Sequence, residues 1–76
     1  MVIAGLVVQL HPQDEAAVLA AVAAVPGARY ESTPAPGHMV VILEAEDDRA
    51  AEEGLKALQA LPGVLGVYPA YIQSEV

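Results

Sequence analysis

The chain has 76 residues, 55% of them hydrophobic, no cysteine, and a formal charge of −7 from ten acids against Arg29, Arg49 and Lys56. That length makes one domain at most, residues 1–76, and the composition is too apolar for intrinsic disorder. A disulfide scaffold, a thiolate metal site and a cysteine nucleophile are excluded, duplex binding lacks a basic face, and cationic partners are favoured.

The first strand is expected at Val2–Leu10, an apolar run ended by His11-Pro12. It carries no basic n-region and is short for a signal peptide. No run approaches the roughly 18 apolar residues that span a bilayer. The expectation is a soluble, cytoplasmic chain without a targeting segment and without membrane insertion. Proline suits a first helical turn, so a helix starts near Pro12, with Asp14 and Glu15 placed well for its dipole. Val18, Val22 and Val25 form its buried stripe at spacings of four and three. Pro26-Gly27 stops it. A short second strand is expected at Ala28–Thr33, a loop at Pro34–Gly37, and a third strand at His38–Ala45. Asp47 or Asp48 caps a second helix that reaches about Leu61, with Ala51, Leu55, Leu58 and Leu61 as its stripe. Pro62-Gly63 repeats the helix stop, and the fourth strand is expected at Val64–Gln73.

The order βαββαβ is the ferredoxin-like split βαβ plan of an α+β fold. A four-stranded antiparallel sheet would carry both helices on one face and leave the other open. Alternation along strands assigns the faces. In the third strand the uncharged set Met39, Val41, Leu43 and Ala45 belongs under the helices, which turns His38, Val40, Ile42 and Glu44 outward. In the first strand Val2, Ala4, Leu6, Val8 and Leu10 point inward, leaving Ile3, Gly5, Val7 and Gln9 outward. In the fourth, Leu65, Val67 and Tyr71 are placed inward, and Gly66, Tyr68, Ala70 and Ile72 outward. The small residues Gly5, Gly66 and Ala70 would leave a shallow trough. So continuous an apolar face is rarely left unused. A homodimer, sheet on sheet, and a foreign apolar helix both suit it, and an acidic rim would favour a ligand with a positive end.

Catalytic chemistry is sparse. His11 and His38 are two histidines far apart in sequence, and a catalytic zinc site needs a third ligand. Ser32, Thr33 and Ser74 sit in no nucleophile motif, and no nucleotide-binding glycine pattern occurs. No enzyme activity, metal or cofactor is expected. The run Glu44, Glu46, Asp47, Asp48, Glu52 and Glu53 serves as a helix N-terminus and solvated face, as an attractor for an arginine-bearing peptide, or both.

Five segments, in order along nearly the whole chain, carry a resemblance. They are Gly5-Leu6-Val7-Val8-Gln9, Val25-Pro26-Gly27, Met39-Val40-Val41-Ile42-Leu43-Glu44-Ala45-Glu46-Asp47, Leu61-Pro62-Gly63-Val64-Leu65 and Ala70-Tyr71-Ile72-Gln73. Their succession resembles the NapD family of cytoplasmic assembly chaperones for the periplasmic nitrate reductase catalytic subunit. Ile72 stands where the family commonly has a histidine, and Pro69 interrupts the last strand. The resemblance implies binding of the twin-arginine signal peptide of the nitrate reductase precursor, as a helix against the open sheet face, which restrains export until the molybdenum cofactor is inserted. The peptide-binding residues would be Ile3, Gly5, Val7, Gln9, Val40, Ile42, Glu44, Tyr68, Ala70 and Ile72. A dimeric amino-acid-sensing module of the same plan is the alternative.

Overall fold

The computed structural model describes residues 1–74. Strand β1 runs Val2–Leu10, a 3-10 turn Pro12–Asp14 leads into helix α1 at Glu15–Ala23, and β2 spans Ala28–Ala35. Strand β3 is His38–Ala45, helix α2 is Asp48–Gln59, and β4 is Val64–Ser74. All three strand pairings are antiparallel, in the order β2-β3-β1-β4. This is the ferredoxin-like arrangement that the alternation of strand and helix signals predicts.

The core lies between the sheet and the helices. Ala4, Leu6, Val8 and Leu10 of β1 meet Met39, Val41 and Leu43 of β3, Val67 of β4, and Val18, Val22, Val25 and Leu58 from the helical side. Ala28, Leu55, Leu61 and Val64 pack against this cluster from its margin. Among the described residues no polar or charged side chain is buried. The core is therefore held by apolar burial and dispersion, with no buried charge to desolvate.

The Pro-Gly pairs close both helical stretches in the same way. Gly27 and Gly63 take φ of 80° and 89°, the left-handed region that a side chain makes costly. A Cβ on Gly27 would also strike the carbonyl oxygen of Glu44. Helix α2 ends two residues earlier than expected, and Leu61 sits in the turn beyond it, partly buried. Its start is set by Asp47, whose Oδ1 accepts from the Ala50 N–H at 2.8 Å. Asp47→Ala leaves that donor unpaired at the helix start. A loss of about 1 kcal/mol is expected, read as a lower urea midpoint at unchanged slope.

Strand β2 is longer than its sequence suggests and absorbs Pro34 and Ala35. It is an edge strand, where a missing proline N–H costs no ladder bond. Its pairing with β3 shifts between Tyr30 and Ser32 and again between Ser32 and Ala35. Only Pro36 and Gly37 remain as the turn to β3, with Gly37 at φ 78°.

Candidate functional site

Residues directly opposite each other in a ladder point to the same side of the sheet. The register therefore lays out the open face as four rows across the strands. Glu44 of β3 is opposite Ile3 of β1. Next come Arg29, Ile42, Gly5 and Tyr71, from β2 to β4. Then come Ser32, Val40, Val7 and Tyr68, and finally Ala35, His38, Gln9 and Gly66. Ile3, Val7, Val40 and Gln9 are half-buried, while Tyr68 is exposed. Ile42 is on this side but only 4% exposed, between Arg29 and the glycine that Tyr71 covers. It therefore offers little surface to a ligand, contrary to its expected role as a contact residue.

Strand β4 departs from simple alternation. Its register against β1 shifts between Gly5 and Leu6, where Tyr71 pairs with Gly5 and Pro69 with Leu6, leaving Ala70 as the extra residue of a bulge. A bulge turns every later side chain to the other face. Tyr71, expected inward, faces out. Ile72, expected outward, is opposite inward-facing Ala4 and lines a cleft of about 210 Å³ on the helical side with Leu55, Ala51, Asp48 and Pro69. Ile72 is thus not on the open face, and Ala70 sits at the bulge itself. A second shift between Gln9 and Leu10 leaves Leu65 unpaired. Expected inward, it is 62% exposed.

The expected trough is filled. A side chain at Gly5 would run into the Tyr71 ring. The nearest ring atom, Cε1, has both its bonded ring neighbours, Cδ1 and Cζ, at 2.7 Å from that Cβ position. Such equal, short distances arise when the ring's face, not its edge, is turned to the glycine. Tyr68 reaches Gly66 by its hydroxyl end instead, with the hydroxyl 2.7 Å and Cε2 and Cζ 3.0 Å from the corresponding position. Gly5 thus serves as the seat for an aromatic ring, and Gly66 leaves room for a tyrosine hydroxyl.

The rim differs from expectation too. Asp48, Glu52 and Glu53 lie on α2, behind the sheet. Glu53 pairs with Arg49 at 3.7 Å and Glu52 with Lys56 at 3.1 Å, while Asp47 caps the helix. Among the residues that the strand register pairs, Glu44 is the carboxylate on the open face, and Arg29 Nη1 donates to its Oε1 at 3.3 Å. At the opposite end of the face, Gln9 Nε2 lies 3.5 Å from His38 Nε2, and His38 Nδ1 lies 3.2 Å from the Pro36 carbonyl oxygen. A carbonyl only accepts, so Nδ1–H donates to it, which leaves Nε2 to accept from the Gln9 amide. His38 is thereby a cross-strand linker.

The face offers a half-buried aliphatic centre, two tyrosine rings along β4 and one internal ion pair near β2. Among the described residues, no three His, Cys, Asp or Glu side chains gather in a group that could hold a metal ion. Sequence reasoning missed Tyr71 and the Arg29–Glu44 pair. Pro69 inside a strand was the local signal for the first, since it supplies no backbone donor. The second needs the β2–β3 register, which no local pattern encodes.

No curated protein matches this chain. Among solved structures, it is similar to the solution structure of the E. coli Tat proofreading chaperone protein NapD, at a TM-score of 0.85 and 28% identity, covering 96% of this chain and 78% of that one. The family model described as NapD protein matches residues 1–76. With the βαββαβ sheet and its match over those residues, the chain belongs to the NapD family.

Proposed function

We propose that this protein is a cytoplasmic chaperone, without enzyme activity, that binds the twin-arginine signal peptide of the periplasmic nitrate reductase catalytic subunit precursor. Binding would restrain export until the molybdenum cofactor is inserted. The observation that carries this reading is the open sheet face. Ile3, Val7 and Val40 lie partly exposed beside Tyr68 and Tyr71, on the side of the sheet away from α1 and α2. Family membership and likeness to a Tat proofreading chaperone support the choice of ligand.

The energetics favour an apolar contact. Micromolar affinity corresponds to about 8 kcal/mol. An exposed ion pair contributes about 0–1 kcal/mol, whereas apolar burial contributes about 25 cal/mol per Å² before the costs of association. The aliphatic centre must then contact the peptide's apolar stretch, and charge can only refine the fit.

Chemical-shift mapping with a synthetic twin-arginine signal peptide tests the location. Perturbations concentrated at Ile3, Val7, Val40 and Tyr68, with α2 little affected, are the expected pattern. Shifts centred on α2 and the cleft beside Ile72 would remove the open face from the proposal. A stable dimer that occupies this face and binds a free amino acid instead would favour the sensing module.

A further inference from the structure

We infer that Tyr68 and Tyr71 form a platform that reads the guanidinium groups of the docked peptide through their ring faces. This deepens the function proposed above and rests on it.

Three observations converge. The bulge at Ala70 is the reason both tyrosines share the open face, since residues three apart on a regular strand point to opposite sides. One ring face of Tyr71 is turned to Gly5, yet the residue remains 49% exposed, so its other face meets solvent. Tyr68 is 53% exposed. Gly5 leaves room for the Tyr71 ring, and Gly66 for the hydroxyl end of Tyr68.

The charges of this face leave the rings as the feature suited to a cation. Glu44 is engaged by Arg29, and the α2 carboxylates lie behind the sheet. Arg29 belongs to edge strand β2, three strand spacings or about 14 Å from β4. Paired with Glu44 at 3.3 Å, Arg29 leaves little net charge near β2, so the two exposed rings are what marks the β4 side for a peptide arginine. Guanidinium is planar and weakly hydrated, and stacks on aromatic faces better than ammonium does. The net charge of −7 adds a long-range pull that is screened by salt. The orientation follows: the arginine pair lies over β4, and the apolar stretch crosses Val7 and Val40.

The test is a set of calorimetric titrations of the wild type and of Tyr68→Leu, Tyr71→Leu and both Tyr→Phe variants. Each meets the native peptide and the same peptide with both arginines changed to glutamine. Each leucine variant is expected to weaken the native peptide by about two- to five-fold and to leave the glutamine peptide nearly unchanged. The phenylalanine variants keep the ring face and are expected to stay near wild type, which separates stacking from the hydroxyl. In NMR spectra of the wild-type complex, ring currents should move the arginine side-chain resonances upfield, and the Tyr71→Leu complex should lose part of that shift. Equal weakening of both peptides by the leucine variants, or none, overturns the platform while leaving peptide binding intact. A folded wild type that binds neither peptide overturns the functional reading and the platform with it.

Discussion

Val7→Asp is expected to weaken signal-peptide binding by at least about 100-fold, the scale set by burying an unpaired carboxylate under a docked apolar helix. Val7 lies in the central row of the open face, between Val40 on β3 and Tyr68 on β4. It is half-buried in the free protein, so an aspartate there keeps access to water until the peptide covers it. The cost to the fold is limited to β-propensity and lost cross-strand packing, about 1 kcal/mol. Circular dichroism should show an intact spectrum and a modestly lower melting temperature, with titration showing the loss of binding. Ile42→Asp does not serve the same purpose. Ile42 is 4% exposed, so the charge would be buried in the free protein and the fold itself would suffer. Full binding by a folded Val7→Asp variant would remove the aliphatic centre from the contact surface.

Leu58→Ala is expected to have the largest effect on stability. Leu58 is fully buried, and it is the buried side chain of α2 that enters the main core cluster. Truncating a buried leucine costs about 2–5 kcal/mol, the transfer term plus the cavity left behind. A 76-residue chain has roughly 4–11 kcal/mol of stability in total at usual per-residue values. The melting temperature should therefore fall by at least about 10 °C, measured by thermal unfolding. Leu65→Ala provides the contrast. The same residue type at a bulge, 62% exposed, should change stability by no more than about 0.5 kcal/mol. Equal losses from the two variants would contradict the β4 register.

Those two leucines also mark where the sequence is legible. Helix residues announce their buried face by spacing, and Val18, Val22 and Leu58 are buried as their spacing predicts. Strands β1 and β3 can be read because one of each strand's two alternating sets is wholly apolar, and all but the end residues Val2 and Ala45 of those sets join the core cluster. Strand β4 is apolar on both sides, so alternation alone cannot assign its faces. Two extra residues, Leu65 and Ala70, then reset its parity twice. Alternation misplaces Leu65, Tyr71 and Ile72, and matches the structure at Val67, Gly66 and Tyr68, which lie between the bulges. The acidic run was visible as charge, but its place behind the sheet and its pairing with Lys56 and Arg49 depend on α2 lying across the helical face.

The proposed function stands or falls on binding of a twin-arginine signal peptide to the open sheet face. Calorimetric titration of the folded wild-type protein with the synthetic signal peptide of a nitrate reductase precursor tests it most directly, with the arginine-to-glutamine peptide as control. Saturable binding in the micromolar range or tighter is expected, weakened but not abolished in the control, because apolar burial supplies most of the affinity. A folded, monomeric sample that releases or absorbs no heat of binding with either peptide, at several temperatures, would contradict it.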